Sequence, residues 1–332
     1  MQQHDVVGIG NAIVDIIGRC DDAFLARYGG SKGSRQLVDA AAIATLYAAM
    51  GPGVEMSGGS VANTMVGVAS FGGKAAFIGK TAADQFGQVF GHDIRAAGVT
   101  FTTPPASAGS EPTGRSLILV TPDGQRTMNT FLGVSPQLSA EEIDANLIRS
   151  ARIVYLEGYL FDRPEAKAAF RTAAKIAVNA GRQVALSLSD SFCVNRHRLE
   201  FLELIRSTVD ILIANESEIT ALYETASFAE AAHRAGADTK VAALTRSEKG
   251  SVILSAKQPP ITLAAVPVAK VVDTTGAGDL YAAGLLFGIS NGLDLATAGR
   301  LGSLAAAEII GQIGARPGVS LAQLARQEAV VK

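Results

Sequence analysis

The sequence predicts an α/β protein built on a mostly parallel β-sheet, and two observations carry that prediction. Short β-branched runs alternate with Ala-rich segments of helical spacing along most of the 332 residues. Such alternation is typical of parallel strands whose connecting helices cover both faces of the sheet. The chain is 48% hydrophobic, and its length is sufficient for one large α/β core.

The elements follow in chain order. β-branched runs predict strands at residues 6–9, 75–78, 153–156, 184–188, 211–214 and 241–244. Helical spacing predicts helices at residues 60–71, 164–180, 217–225 and 228–235. Residues 258–260 and 315–318 look like loops because they are rich in proline or glycine. Parallel sheets bind ligands at the carboxyl ends of their strands, so we expect the motif loops to gather there.

Two stretches, residues 13–39 and 99–132, depart from this alternation and are richer in Gly, Pro, Ser and Thr. Within the second, β-like runs at 115–121 and 126–131 flank a Pro-Asp-Gly turn, which is a hairpin signal. We interpret the two stretches as a small antiparallel sheet that projects from the main body and is suited to act as a lid. Arg126 opens the second run and can fork onto phosphate oxygens, or can be an exposed strand residue.

Composition excludes several classes of protein. A formal net charge of -2 gives no electrostatic footprint for nucleic acid or an anionic membrane. Cys20 and Cys193 lie far apart and the chain has 4 His, which argues against a disulfide framework or a zinc site. The amino-terminal segment lacks a basic stretch, and Asn11 and Asp15 interrupt its apolar run. We therefore expect no signal peptide, no membrane span and a cytoplasmic protein.

Residues 273–279, D-T-T-G-A-G-D, form the most informative motif, and an apolar run of helical spacing follows them. The glycines allow a tight turn, and Asp279 should lie in the first turn of a helix. Free N–H groups and the helix dipole make such a turn an anion site. An aspartate there is ordinarily a cap, but it can also take a proton from a hydroxyl that attacks a phosphoryl group.

Two earlier segments place polar groups beside strand ends. Residues 57–64 form a second glycine turn, in which Gly59 precedes a helix that carries Asn63. Close approach to a polar ligand and a plain helix entry capped by Ser60 fit this turn equally well. Asp15 follows the first strand and suits sugar hydroxyls, although a turn aspartate is the commoner role.

Two later strand ends carry further polar residues. The N-E-S-E segment from Asn215 to Glu218 suits a hydrated Mg²⁺ near phosphates. Acidic residues that complement a helix dipole are the alternative. The residues of a polar turn that can lie along a nucleotide are Thr245, Ser247 and Gly250.

In combination, the glycine pair at 58–59, the N-x-x-E at 215–218 and the D-T-T-G-A-G-D at 273–279 resemble the ribokinase-like (PfkB) family of carbohydrate and nucleoside kinases. The resemblance spans nearly the whole chain and includes G-A-R-P at 314–317. It implies a ribokinase-like three-layer α/β sandwich formed by one domain over residues 1–332. The insertions at 13–39 and 99–132 would form the small β lid.

The resemblance also implies roles for single residues. The positions that match the catalytic base and its anion hole are Asp279, Gly276, Ala277 and Gly278. The positions that organise Mg²⁺ and phosphates, largely through water, are Asn215 and Glu218. The positions that border ATP are Thr245, Ser247 and Gly250. The positions that hold the hydroxyls of the acceptor are Asp15, Gly59 and Asn63. At the substrate, Arg126 would offset the charge that develops during phosphoryl transfer. The positions at which many members bind a monovalent cation such as K⁺ are Asp273 and Thr275.

The implied reaction is transfer of the γ-phosphate of ATP to a primary hydroxyl, with Mg²⁺ as cofactor. The N-E-S-E segment and the P-D-G-Q-R turn at 122–126 favour the adenosine kinase branch of the family. Tyr159 and Phe161 follow a predicted strand, where they suit packing on a purine or ordinary core packing. The 5'-OH of adenosine is the first choice of acceptor.

Two alternatives stay open at this point. One is a kinase for another nucleoside or for a ribose- or fructose-type sugar. The other is a ligand-binding regulator that kept the fold and lost the chemistry. The expected partners are ATP and a small-molecule acceptor, without nucleic acid or membrane. The sequence is consistent with a monomer or a homodimer.

Overall fold

Two β-sheets organise the chain in the computed structural model, which describes residues 4–256 and 258–331. The strands are β1 His4–Ile9, β2 Ile13–Arg19, β3 Arg35–Leu37, β4 Gly53–Gly58, β5 Ala75–Ile78, β6 Thr100–Phe101, β7 Gly114–Val120, β8 Arg126–Phe131, β9 Ala151–Glu157, β10 Gln183–Ser187, β11 Ile211–Asn215, β12 Val241–Thr245, β13 Ser251–Ser255 and β14 Gln258–Leu263. The expectation about a signal peptide includes residues 1–3, which lie outside the described residues.

The larger sheet has the strand order β14-β13-β12-β11-β10-β9-β1-β5-β6. Its pairs are parallel except for β12–β13 and β13–β14, which are antiparallel. The predicted mostly parallel central sheet is therefore confirmed. Its middle strands are buried on both faces, as expected for strands that helices cover on both sides.

One predicted loop in this sheet is wrong. Residues 258–260 begin the edge strand β14 rather than a loop. Their prolines lack a backbone N–H, but an edge strand pairs on one side alone and tolerates that loss.

Helices lie on both faces of the larger sheet and also pack against the second, smaller sheet. They are α1 Asp22–Phe24, α2 Ala40–Ala49, α3 Ser60–Ser70, α4 Gln85–Ala96, α5 Ala145–Ser150, α6 Pro164–Asn179, α7 Ser191–Ser207, α8 Glu216–Tyr223, α9 Phe228–Asp238, α10 Ala277–Ser290, α11 Leu295–Ile310 and α12 Leu321–Gln327. Alternate strand residues point into two cores: Val6 belongs to the core that α3, α10 and α11 share, whereas Val7 belongs to the core that α5 to α9 share. No helix among the described residues is long and apolar enough to cross a membrane.

The second sheet, called the small sheet below, has the order β3-β8-β7-β2-β4. The predicted hairpin is present: β7 and β8 pair antiparallel through a turn in which Gly124 has φ 80°. The predicted antiparallel sheet is in fact mixed: β2–β4 and β7–β8 are antiparallel, whereas β2–β7 and β3–β8 are parallel. Those pairs join segments that lie far apart in sequence, where no turn signal reports their direction. The strand β4 lies outside both predicted insertions.

Candidate active site

Asp279 lies in the first turn of α10, as the sequence predicts. The N-cap is Gly276, whose φ of 79° falls in the left-handed region that glycine adopts without strain. A Cβ at Gly276 would lie 2.7 Å from the Cβ of Ala315. The loop that carries Ala315 therefore packs directly against the turn, and only glycine fits there.

The backbone N–H groups at this helix start are divided between the turn and the open cleft. The Ala277 N–H donates to the Thr274 carbonyl oxygen at 3.2 Å, so it is not free to bind an anion. The N–H groups of Gly276, Gly278 and Asp279 make no hydrogen bond within the described part of the chain. Together with the helix dipole, they form an anion site. The Ala277 N–H, which was expected in the anion hole, is therefore not available to an anion, because it is bonded within the turn.

The Asp279 carboxylate is oriented by the neighbouring helix α3. Ser60 Oγ donates to Asp279 Oδ1 at 2.6 Å, and Asn63 Nδ2 donates to Oδ2 at 3.0 Å. Burial raises the pKa of Asp279, and these two hydrogen bonds offset part of that rise. A fixed carboxylate with raised proton affinity beside an anion site has the properties of a general base.

The start of α3 also offers an unused hydrogen-bond acceptor. Asn63 Oδ1 is buried without a partner among the residues described, and a bound hydroxyl would remove that penalty. The interpretation of Ser60 as the N-cap is wrong, since Gly59 is the N-cap. The Ser60 hydroxyl is consequently available to Asp279.

The paired glycines bring α3 against β2 and the loop that precedes it. A Cβ at Gly58 would lie 2.4 Å from the carboxyl carbon of Asp15. At Gly59, where φ is 100°, a Cβ would lie 2.1 Å from the Asn11 carbonyl oxygen. Burial raises the pKa of Asp15 to about 7, against the lowering effect of the Arg316 charge, and Asp279 raises it further. Asp15 therefore faces the same cleft as the catalytic candidate.

The register of the small sheet places further residues beside Asp15. Asp15 pairs with Ser116, Ser116 with Thr130, and Thr130 with Leu37. Directly paired residues point to the same face, and so do residues two apart along a strand. This face, called the inner face below, therefore also carries Arg126. Leu37 is 69% exposed, which leaves an apolar surface on the inner face.

Arg35 is a charged residue of the inner face that the sequence analysis missed. It pairs with Met128 in β8. Burial raises the pKa of both Asp279 and Tyr159, and the charge of Arg35 offsets part of each rise. An isolated arginine on a three-residue edge strand carries no local signal of such a position.

Of the two aromatic candidates for purine packing, one is excluded. Phe161 is buried and stacks on Phe201 with ring centroids 4.5 Å apart, so it belongs to the core. Tyr159 is 37% exposed. Burial of its ring raises its pKa, and the charges of Asp190 and Asp279 add to that rise. Tyr159 therefore borders the cleft.

Arg316 ties three parts of the site together, a role that the loop assignment of residues 315–318 did not include. Its Nη2 donates to Ser57 Oγ at 2.6 Å, its Nε to the Ser57 carbonyl at 3.0 Å and its Nη1 to the Ala62 carbonyl at 3.3 Å. Asp93 accepts from the Ser57 N–H at 2.8 Å. Burial lowers the pKa of Arg316 to about 10, so the guanidinium stays charged at neutral pH.

Glu157 is a second residue that the sequence analysis missed. Its Oε1 accepts from Asn11 Nδ2 at 2.7 Å, and its Oε2 accepts from the Val61 N–H at 3.0 Å. Burial raises the pKa of Glu157 to about 7. This carboxylate joins the end of β1 to the start of α3. The sequence contains one signal of this position: Glu157 is a charged residue directly after the apolar run at 153–156.

Asn215 and Glu218 form a capping box at the start of α8. Glu218 Oε1 accepts from Asn215 Nδ2 at 2.6 Å, and Oε2 accepts from the Asn215 N–H at 2.9 Å. Burial raises the pKa of Glu218 to about 7, and the charges of Asp190 and Asp279 add to that rise. Glu218 therefore lies at a helix start, as one interpretation expected, and it also lies near Asp279.

The polar turn after β12 lies at the carboxyl edge of the larger sheet. Thr245 ends β12, and Ser247 adopts a left-handed φ of 51°. A Cβ at Gly250 would lie 2.0 Å from the Leu263 carbonyl oxygen. The turn is thus held tightly against the end of β14.

A cavity of about 260 Å³ lies near this turn, between the end of β14, the helix α11 and the carboxyl-terminal segment. The residues that line it include Leu263, Val266, Arg300, Ser303 and Glu328. Apolar side chains and a few polar groups line this cavity together.

Arg126 reaches from the inner face to the loop that precedes α10. Its Nη1 forms an ion pair with Asp273 Oδ2. Asp273 Oδ1 accepts from the Thr275 N–H at 2.9 Å, and Oδ2 accepts from the Gly314 N–H at 3.2 Å. Both oxygens of Asp273 are engaged, so the monovalent cation that the resemblance implies at Asp273 and Thr275 does not fit this arrangement.

A magnesium ion held mainly by phosphates and water does fit. Among the residues described, no group of three or more His, Cys, Asp or Glu side chains could hold a metal by itself. Asp190 and Asp279 instead place negative charge near Glu218 and raise its pKa, and a dication would offset that charge. Mg²⁺ keeps several water ligands and favours this outer-sphere arrangement.

Comparison with known proteins places the chain in a family. Residues 50–321 match the sequence profile of pfkB family carbohydrate kinases. The structure of adenosine kinase from Sinorhizobium meliloti is 53% identical with a TM-score of 0.90, covering 98% of this chain and 99% of that chain. A probable sugar kinase protein from Rhizobium etli CFN 42 is 49% identical with a TM-score of 0.91, covering 100% of both chains. An uncharacterized sugar kinase from Archaeoglobus fulgidus is 27% identical over 260 residues, 76% of this chain and 98% of the relative.

The chain belongs to the pfkB family of carbohydrate kinases. It has the ribokinase-like fold and lies in the adenosine kinase-like branch. The protein is therefore an ATP-dependent kinase of carbohydrates or nucleosides.

Proposed function

We propose that the protein transfers the γ-phosphate of ATP to the 5'-OH of adenosine, with Asp279 as the general base. The observation that carries this proposal is the Asp279 carboxylate, which Ser60 and Asn63 orient beside free N–H groups at a helix start. Positioning and charge stabilisation are what phosphoryl transfer needs most.

The proton and the phosphoryl group move in one balanced step. The acceptor hydroxyl gives its proton to an Asp279 carboxylate oxygen, and its oxygen forms a bond to the γ-phosphorus. The bond from that phosphorus to the β–γ bridging oxygen breaks, and ADP leaves. The raised pKa of Asp279 makes the carboxylate a stronger base than an exposed aspartate.

Charge on the transferred group is offset from two directions. The N–H groups of Gly276 and Gly278 point from the helix start, and the Arg126 guanidinium approaches from the inner face. The Arg126 Nε and Nη2 are buried and make no hydrogen bond within the described chain, so they can take phosphate oxygens. Donors fixed before the reaction require no reorganisation during it.

The nucleotide lies along the carboxyl edge of the larger sheet in this proposal. Its base would occupy the cavity of about 260 Å³ beside Leu263, next to the turn formed by Thr245, Ser247 and Gly250. Asn215 and Glu218 would hold Mg²⁺ through water. When bound, Mg²⁺ neutralises part of the negative charge on the phosphate oxygens.

The acceptor would lie between α3 and the inner face. Asp15 and the free Asn63 Oδ1 suit the ribose hydroxyls. Leu37 is three strands from Asp15 in the same cross-strand row, roughly 14 Å away at the usual strand spacing. Exposed Leu37 and Tyr159 offer apolar surfaces for a flat base at that end of the cleft. A nucleoside would extend further toward these surfaces than a free sugar.

The small sheet would act as a lid in this mechanism. It carries Asp15 and Arg126 on its inner face, so its closure would bring the acceptor and the phosphates together. Closure would also exclude water and limit the hydrolysis of ATP. The similarity to the adenosine kinase of Sinorhizobium meliloti supports adenosine as the acceptor.

A sugar of the ribose or fructose type is the second candidate. The similarity to the probable sugar kinase protein of Rhizobium etli favours it. In addition, the polar residues near Asp279 can hold the hydroxyl groups of any polyol. A sugar would leave Leu37 and Tyr159 without contact, which is the reason for ranking it second.

An ADP-release assay with adenosine, inosine, ribose and fructose tests the proposal. We expect the highest kcat/KM with adenosine and a loss of that release in Asp279→Asn. Preference for ribose or fructose would overturn the nucleoside assignment while preserving the kinase. Release of ADP at equal rates with and without acceptor would overturn the proposed transfer.

A further inference from the structure

We propose that the Arg126 guanidinium is a built-in substitute for a monovalent cation at Asp273, so that turnover does not require K⁺. The kinetic part of this inference rests on the proposed function, whereas its thermal-stability part does not. It also departs from what the resemblance implies for Asp273 and Thr275.

The ion pair is enclosed by the protein. Arg126 begins β8 on the inner face, and Asp273 lies in the loop that leads to α10. The two side chains are 9% and 7% exposed, respectively. Solvent therefore screens this pair little, and the guanidinium supplies a full positive charge where the loop meets the small sheet.

The remaining partners of Asp273 leave little room for an added ion. Its Oδ1 accepts from the Thr275 N–H and its Oδ2 from the Gly314 N–H. K⁺ is bound by several oxygen atoms that replace its hydration shell. The groups facing this carboxylate are two N–H donors and a guanidinium, all of which repel a second cation.

Asp273 holds two segments that flank the anion site. Through Thr275 it fixes the turn that contains Gly276, and through Gly314 it fixes the loop whose Ala315 packs on Gly276. A neutralised Asp273 thus positions the N–H groups at the start of α10. Arg126 acts here as a positioning residue through Asp273, in addition to the phosphate contact proposed above.

Removal of the guanidinium would create a need for a cation. A buried carboxylate without a countercharge is strongly unfavourable. A monovalent ion entering the vacated space would restore neutrality and with it the geometry of the turn. The wild-type protein has no such need.

The test compares wild type, Arg126→Ala, Arg126→Lys and Arg115→Ala in KCl and in tetramethylammonium chloride at one ionic strength. Arg115 is the matched control, because it lies on the opposite face of the small sheet with its guanidinium 4.9 Å from the Phe86 ring centroid. The readouts are Tm without substrates, and kcat and KM for both substrates.

We expect equal kcat and Tm in both salts for the wild type, Arg126→Lys and Arg115→Ala. Arg126→Ala should lose kcat on the order of tenfold or more, and K⁺ should restore part of it saturably and raise its Tm. A merely structural role for Arg126 would not create a response to K⁺.

Saturable activation of the wild type by K⁺ overturns the proposal. So does a folded Arg126→Ala whose kcat and Tm are both indifferent to K⁺. If Arg126→Ala does not fold, Arg126→Gln takes its place with the same two outcomes. Absence of turnover in the wild type in every salt would count against the proposed function alone, and the Tm comparison would still decide the inference.

Discussion

Replacement of Asp15 with asparagine should weaken the binding of the acceptor while leaving ATP binding unchanged. Asp15 faces the cleft between α3 and the inner face, and its carboxyl group packs against Gly58, where a Cβ would clash with it. A hydrogen bond to a charged group contributes about 1.5–3 kcal/mol. Asparagine keeps the shape and one acceptor oxygen, so we expect a loss of about 2 kcal/mol, which is about 30-fold in Kd.

Calorimetry with adenosine and, separately, with a non-hydrolysable ATP analogue measures both affinities. Because the pKa of Asp15 is raised to about 7, the wild-type affinity for adenosine should increase from pH 6 to pH 8, as the carboxylate ionises. Asp15→Asn should show no such increase. Asp39→Asn is the control, since Asp39 caps α2 and is exposed. Equal weakening of both ligands by Asp15→Asn would refute the placement of the acceptor.

Three further outcomes follow from glycine geometry and from burial. Gly276→Ala places a Cβ 2.7 Å from Ala315 at a φ of 79°, so urea unfolding should show a loss of about 1–3 kcal/mol. Gly278→Ala meets nothing within 4 Å; its stability should stay within about 0.5 kcal/mol, while kcat should fall because the proposed mechanism places the phosphates in the open space beside this helix start. Glu157 has a folded pKa of about 7 against an ordinary 4.5, so its native state retains a proton as pH rises from 4.5 to 7 and stability declines over that window. In Glu157→Gln the decline between pH 5 and pH 8 should be smaller by about 3 kcal/mol, and an unchanged decline would contradict the assignment.

Local pattern predicted much of the larger sheet and the start of α10. The strand at residues 75–78 coincides with β5, and the helices that begin at Ser60 and Pro164 start where expected. Asp279 lies in the first helical turn because glycine spacing and the following apolar run both report the same boundary. These features depend on neighbours in sequence, which is the range over which periodicity and capping act.

The contacts that shape the site could not be predicted in this way. Ser60 and Asp279 lie 219 residues apart, and Arg316 and Ser57 lie 259 residues apart. Nothing in the local sequence of either partner specifies such a pairing. The Arg126–Asp273 ion pair likewise joins a hairpin of the small sheet to the loop before α10. The family resemblance supplied roles for single residues, but it did not indicate that these two side chains neutralise each other.

The role of Asp279 as the general base is tested most directly by the single-turnover rate of phosphoryl transfer in Asp279→Asn with ATP and adenosine bound. Asparagine can accept from Asn63 and donate to Ser60, so the fold and both affinities should be retained. The rate should be lower by on the order of 10²–10⁴, since the variant cannot take the proton of the acceptor hydroxyl. A near-normal rate in the folded variant would contradict the assignment of Asp279 as the base.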